Sequence, residues 1–365
     1  MERANSTFST VAINPTVLTK IPFEPADPED EEDEQLSISE LKQMLQEKQP
    51  SKGHAPVCMY DEESKLTSKL DYKGKVYKFD ISKGRHNGHL LEEIIRTSAG
   101  RFKATTSKTT DFLWLGPSSK PEDIYEILKK DKNRIINRYP NVKDLCHKDK
   151  FKDMMQVISY VNPEVFEFVP PSFVFPHEED LWREYANRKS NANVTYIAKP
   201  SKGTQGEGIC LFRELSVVPE HIKEEMVVSR YISNPLLING IKFDLRVYVV
   251  ITGINEGDLH AFIADEGLAR FCTEKYEKPT RENLKKSYMH LTNYSLNKMS
   301  EEYIKEADNI MAPNDGTKRT LAALYAHIEQ EYGADQVDLL KANIKETCEG
   351  TLAMLLNMVQ HQANP

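Results

Sequence analysis

From residue 73 onward, short apolar runs alternate with longer amphipathic stretches. "KVYKFDI" (75–81) and "DFLWLG" (111–116) have the β-branched and aromatic content of strands, while "NGHLLEEIIRTS" (87–98) and "PEDIYEILKK" (121–130) repeat their apolar positions at helical spacing. Pro121 opens the second helix, since its missing N–H is not needed in a first turn. Strand and helix in alternation predict an α/β subdomain over 71–150. Further helices are expected at "KDKFKDMMQVISYV" (148–161) and "EEDLWREYANRK" (178–189). Residues 195–300 are strand-rich, and 301–360 are mostly helical, with "LAALYAHIEQEY" (321–332) and "VDLLKANIKETCEGTLAMLLNMVQ" (337–360) the clearest segments. The central and C-terminal part is therefore assigned to 151–365, and no internal repeat is evident.

The first 70 residues break this pattern. They hold 7 Lys/Arg against 14 Asp/Glu, most of the whole chain's net charge of −8, and run through six consecutive acids from Glu29 to Glu34. Such a composition buries little, so residues 1–70 are expected to be an acidic, disordered tail, with one short amphipathic helix at "SELKQMLQE" (39–47). Five cysteines lie far apart with no CxxC pair, which argues for a reducing compartment and against a disulfide framework or structural zinc. No apolar run approaches the roughly 20 residues a membrane span needs, and the N-terminus lacks the apolar core of a secretory signal. A soluble, cytoplasmic protein is expected.

Between "VTYIAK" (194–199) and "ICLF" (209–212), both strand-like, lie Gly203, Gly206 and Gly208. A Walker loop and a dinucleotide-binding turn each lead into a helix, so a loop joining two strands excludes both. A glycine-rich β-hairpin remains. Its amides are free to approach phosphates, with Lys199 at its base; an ordinary hairpin with a flexible tip fits the same residues.

Further along, "GIKFDLRVYVV" (240–250) reads as one strand. A side-chain period of two puts Lys242, Asp244 and Arg246 on one face, and Phe243, Leu245, Val247 and Val249 on the other. The charged face is either a solvated ion-pair ladder or the wall of a site. "EMVVSRYISNPLL" (225–237) is an apolar strand running into a turn, where free backbone groups suit an adenine edge. "EGLARF" adds Arg270 and "MHLTNYSLNK" gathers His290, Thr292 and Asn293.

Taken in order, "KPSKGTQGEGI", "SRYISNPLLINGIKFDLRVYV", "EGLARFCTEKY" and "HLTNYSLNK" resemble the tubulin tyrosine ligase-like family, and "INRYPNVKDLCHKDKF" (136–151) extends the likeness upstream. It covers roughly residues 73–345, and the glutamylating branch is the most similar. The resemblance implies an α/β (α+β) ATP-grasp-like fold with a central antiparallel sheet. Lys199 would hold ATP phosphates, Gln205 and Gly206 would sit in a closing loop, and Ser229, Arg230, Tyr231 and Ile232 would form the adenine hinge. Lys242, Asp244, Thr292 and Asn293 would complete the nucleotide site. Arg270 and Lys318 would receive the incoming amino acid, with Tyr294 and Ser295 nearby. Arg246 and Lys148 would face the acceptor carboxylate and the phosphate formed on it. Two departures stand out: His147 where the family more often has arginine, and Ser229 where many members carry glutamine.

The implied activity is an ATP-dependent tubulin polyglutamylase. A tubulin-tail carboxylate is phosphorylated, and the amine of free glutamate then displaces phosphate to form an isopeptide bond. A tubulin glycine ligase and a non-catalytic tubulin-binding protein are the alternatives. Mg²⁺ is implied, but the family's acidic strand and Glu-x-Asn segment have no counterpart before the chain stops at "LAMLLNMVQHQANP". No metal ligand is therefore assigned; the ligands are expected beyond this sequence, and a truncated product of a ligase gene is expected. Between Lys129 and Lys152 nine Lys/Arg face three Asp/Glu, a basic stretch suited to acidic tubulin tails. A solvated helix surface would read the same way. Nucleic acid is not expected, because no interleaved aromatics accompany the charge. A monomer acting at the cytoskeleton, with a cilium or basal body as an implied location, completes the expectation.

Overall fold

A computed structural model describes residues 8–11 and 74–363, apart from 85–87, 99, 108, 141, 143–145, 162, 215–224, 256–257 and 304–315. The acidic run and the helix expected at 39–47 lie outside the described residues. Strand β1 (Phe8–Val11) joins a sheet formed much later in the chain.

Strands β2 (Tyr77–Asp80), β3 (Phe102–Ala104), β4 (Phe112–Leu113) and β5 (Ile135–Ile136) form one sheet in the order β3-β2-β4-β5, parallel throughout. Parallel neighbours require crossovers. Helices α1 (Gly88–Thr97) and α2 (Pro121–Lys130) supply two of them. The α2 sequence suits its ends, with Glu122 and Asp123 in the first turn and Lys129 and Lys130 in the last. Leu113, Leu115 and Ile124 are its buried core, beside a ring cluster in which Phe112 lies 5.6 Å from both Phe79 and Phe102. Strand and helix alternate here as the sequence pattern predicts.

Helix α3 (Lys148–Val161) then leads to β6 (Ser172–Phe175), helix α4 (Glu179–Ala186), β7 (Tyr196–Pro200), β8 (Cys210–Phe212) and β9 (Met226–Arg230). The strands pair antiparallel in the order β6-β9-β7-β8. One face packs on α4 around Trp182, whose ring meets Tyr196 edge-on at 5.1 Å, with Phe175, Ala198, Phe212, Met226 and Val228. Because side chains alternate, Lys199 and Ser229 point from the opposite face, beside α3.

A third sheet follows the order β10-β11-β14-β15. Its first hairpin joins β10 (Leu237–Ile238) to β11 (Ile241–Arg246) through Asn239 and Gly240, both at positive φ (53° and 75°). That is the backbone a two-residue turn needs, and Asn-Gly the pair that tolerates it. The expected strand over 240–250 is in fact two. β11 ends at Arg246, and β12 (Val249–Asn255) leaves to pair with β13 (Asp258–Ala264) in another sheet. Val247 sits between and packs against the apolar clusters of both. The far edge of β13 carries β1, Phe8 opposite Ala264, so four residues of the expected disordered tail are strand.

β14 (Leu268–Phe271) and β15 (Lys318–Thr320) flank short helices α5 (Ser287–His290) and α6 (Tyr294–Asn297). Helices α7 (Leu321–Tyr332) and α8 (Ala334–Ala363) then cover the apolar face of the third sheet. Thr320 caps α7 by accepting from the Ala323 amide at 3.1 Å. Ile238, Ala269, Phe271, Leu321, Leu324 and Ile328 are buried there, with Phe243 and Leu245 half-buried, as the alternation in β11 predicts. No helix among the described residues is long and apolar enough to cross a membrane.

Candidate active site

The cleft of about 650 Å³ between α3 and the β6/β9/β7 face is lined by Met155, Ser172, Val227 and Ser229, with Lys148 and Lys199 adding charge. Lys199 closes β7 just before the glycine loop. Burial, reinforced by repulsion from Lys148, lowers its pKa from the ordinary lysine value. Among the described residues its ammonium has neither an ion-pair nor a hydrogen-bond partner.

Loop geometry depends on Gln205, Gly206 and Gly208, with φ of 60°, 92° and 68°. A Cβ at Gly206 would lie 2.8 Å from Leu296 Cδ1 and 3.1 Å from Asn293 Cγ, so the loop tip rests directly on the start of α6. Ser295 Oγ donates to the Gln205 carbonyl and ties the same two segments together. At the loop's root, Lys148 Nζ donates to the carbonyls of Pro200 (2.9 Å) and Gly203 (2.7 Å). Lys148 therefore latches α3 to the loop, and burial lowers its pKa.

The hinge segment divides between two environments. Ser229 accepts a hydrogen bond from Ser172 at 2.8 Å inside the first cleft. Arg230, Tyr231 and Ile232 line a second cavity of about 540 Å³ with Pro170 and Pro171. The amides of Arg230 and Tyr231 already donate to the carbonyls of Pro171 (2.9 Å) and Thr195 (2.8 Å). Ile232, 62% exposed, has no backbone partner among the described residues.

On β11, Lys242 is held by neutral acceptors. Its Nζ donates to Tyr231 Oη (2.8 Å) and to the His290 carbonyl (2.9 Å). Burial brings its pKa down to about 8. Two residues on, Asp244 accepts both Nε (2.8 Å) and Nη2 (2.5 Å) of Arg270 and a further bond from Thr292 Oγ1 (2.8 Å). This two-pronged pair raises the Arg270 pKa. Register puts Asp244 opposite Arg270 and Arg270 opposite Lys318, one row across three strands. Lys318 Nζ stands 4.6 Å from the centroid of the half-exposed Tyr294 ring. Arg246 is exposed at the end of β11.

The structure thus brings Lys148, Lys199, Gln205, Gly206, Asn293 and Ser295 around the loop, and Asp244, Arg270, Thr292 and Lys318 along the row. Sequence reasoning grouped His290 with Thr292 and Asn293 but missed Asn297, and it missed the burial of both. His290 and Asn297 are 1% and 0% exposed. Asn297 Nδ2 donates to the carbonyls of Leu291 (2.7 Å) and Asn293 (3.0 Å), while its Oδ1 accepts from the Thr273 amide and hydroxyl. The basic stretch is also partly internal: Lys152 bonds Glu178 at 2.5 Å and Arg138 Nε donates to the Leu115 carbonyl, leaving Lys129, Lys130, Lys132 and Lys150 exposed. Among the described residues no group of three or more His, Cys, Asp or Glu is placed to hold a metal ion.

The sequence model described as "Tubulin-tyrosine ligase family" matches residues 127–364. The human tubulin polyglutamylase TTLL6 is 35% identical over 225 residues, 61% of this chain and 24% of that protein. Human tubulin polyglutamylase TTLL7 is 32% identical over 258 residues (70% and 27%), and tubulin polyglutamylase ttll-11 of Caenorhabditis elegans 36% over 228 (59% and 32%). The chain therefore spans between a quarter and a third of the length of these relatives.

Proposed function

The chain belongs to the tubulin-tyrosine ligase family, and from that premise we propose that it serves an ATP-dependent ligase of the polyglutamylase type, joining free glutamate to glutamate side chains of tubulin tails. The observation that carries the reading is the half-buried Lys199 ammonium, lacking a partner among the described residues, beside Lys148 at the foot of the glycine loop. A partly desolvated cation without a counter-ion is costly to fold, and a polyphosphate relieves that cost.

In this reading Lys199 and Lys242 bind phosphate oxygens, the Ile232 amide meets the adenine edge, and the loop held by Lys148 and Ser295 excludes water. ATP supplies the phosphoryl group that makes a carboxylate reactive toward an amine. Arg246 orients the acceptor carboxylate, and Lys318 with the Arg270 row takes the carboxylates of the incoming amino acid. Exposed lysines of 129–150 attract the acidic tail. Mg²⁺ is expected with the nucleotide, and the roles proposed here belong to the side chains alone.

The test is incorporation. The purified chain is incubated with microtubules, Mg-ATP and labelled glutamate, with labelled glycine in parallel. Label from glutamate on tubulin supports the reading and overturns the expectation that metal ligands beyond this sequence are required; label from glycine alone reassigns the substrate. Microtubule binding with neither label overturns the catalytic reading.

A further inference from the structure

His290 is a buried ionisable group to which the proposed chemistry gives no task, 1% exposed and bonded on both sides of its ring. Its Nε2 lies 3.1 Å from the Asn283 carbonyl, which only accepts, so Nε2 carries the proton. Nδ1 is then a lone pair, and it receives the Tyr231 hydroxyl at 3.2 Å. With its proton committed to the ring, the Tyr231 oxygen turns its own lone pairs to Lys242 Nζ at 2.8 Å. The His290 main-chain carbonyl takes a second Lys242 proton at 2.9 Å. Two of three ammonium protons are thereby held by neutral groups, and the third is left for a ligand.

We propose that His290 is a positioning residue: through Tyr231 it fixes the Lys242 ammonium, protonated and with one donor free, as the seat for an anionic phosphate oxygen. This deepens the ATP-binding reading above and rests on it. Charge neutrality of the supports is the central point. A carboxylate at Tyr231's place would hold the lysine as firmly and cancel its charge. Asp244, the nearest acid along β11, has its oxygens engaged by Arg270 and Thr292.

Other groups around the relay push in known directions. Lys199 and burial favour the neutral amine of Lys242, while Asp244 and Cys272 oppose them. Around His290, Lys242 and Lys286 disfavour the imidazolium and Glu277 favours it, with burial the largest effect and against it. Tyr276 packs edge-on to the ring at 5.8 Å, and burial raises the pKa of both tyrosines. His290 therefore takes up a proton at lower pH than an ordinary histidine, which favours the acceptor role of Nδ1. Lys242 titrates near 8, so anion binding should decline as pH rises through that value.

The experiment measures the affinity of the full chain for ATP and for adenosine between about pH 6.5 and 9.5, in wild type, His290→Phe and Tyr231→Phe. Removing either relay group deprives the protonated Lys242 of an oriented acceptor. The expected result is ATP binding weaker by about tenfold, adenosine binding weakened much less than ATP binding, and the alkaline loss of ATP affinity displaced to lower pH. Tyr231→Phe removes one hydroxyl and keeps the aromatic packing, so it carries the test should His290→Phe not fold. An unmoved alkaline midpoint overturns the relay and leaves the ATP reading standing, as does an equal loss of ATP and adenosine affinity. A wild-type chain that binds neither overturns the ATP reading and the relay with it.

Discussion

Two cations face the same way from neighbouring strands, and the protein treats them oppositely. Lys242 is supported by a phenol and a carbonyl, neither of which cancels its charge. Arg270 is gripped by both oxygens of Asp244, which also takes Thr292, and its charge is balanced at once. Neutral acceptors keep a cation available to a ligand, whereas a carboxylate converts it into architecture. Lys199 extends the first treatment to its limit, with burial and no partner among the described residues.

The sharpest way to break this contrast is to remove one cation of each kind. Lys199→Met is expected to weaken ATP binding by at least about a hundredfold, while unfolding free energy stays level or rises by about 1 kcal/mol. Calorimetric titration and denaturant unfolding of the same sample check both halves. Lost stability would show that Lys199 has a structural partner after all. Arg270→Met is expected to do the reverse. It strands Asp244 beside Thr292 and costs about 2 kcal/mol of stability, below the range for fully buried pairs because both side chains are partly exposed. ATP affinity should change far less than in Lys199→Met.

The smallest effect lies in pH. Folding lowers the Lys242 pKa from 10.5 to about 8, so between those values the unfolded chain holds more protons than the folded one. Stability contributed by this group therefore rises with pH across that window and falls as pH drops through it. Lys242→Met removes the contribution. Denaturant unfolding at several pH values through the window should show a shallower upward slope for the variant than for wild type. Parallel slopes would mean that Lys242 keeps an ordinary pKa.

How far these features were legible in the sequence depended on the range of the interaction. Alternation in β11 placed Lys242, Asp244 and Arg246 on one face because that is a local property of extended chain. The same alternation continues through Val247 and Val249, and hid the change of sheet: nothing local distinguishes a strand that continues from one that hands its apolar residues to a second core. Lys148 reads as a free cation in "HKDKF", and only the folded chain brings the carbonyls of Pro200 and Gly203 to it. Arg270 was legible as a cation on a strand but not as the partner of Asp244, since register between strands 26 residues apart in sequence is set by turns and packing. Strand β1 escaped notice because the surrounding acids dominate the composition of the first 70 residues. The Asn239-Gly240 turn was legible in principle and explains why β10 folds back onto β11.

The row Asp244, Arg270 and Lys318 also sets which insertions and deletions this gene can absorb. Phe271 and Lys318 are separated by a long excursion, and lengthening it leaves the pairing of Arg270 with Lys318 intact, because register is fixed within the strands. One extra residue between Leu268 and Arg270 would instead turn Arg270 toward the apolar face and bring a neighbour into the row. Length changes in that excursion are therefore compatible with the row wherever they fall outside α5 and α6, while the four residues of β14 keep their count.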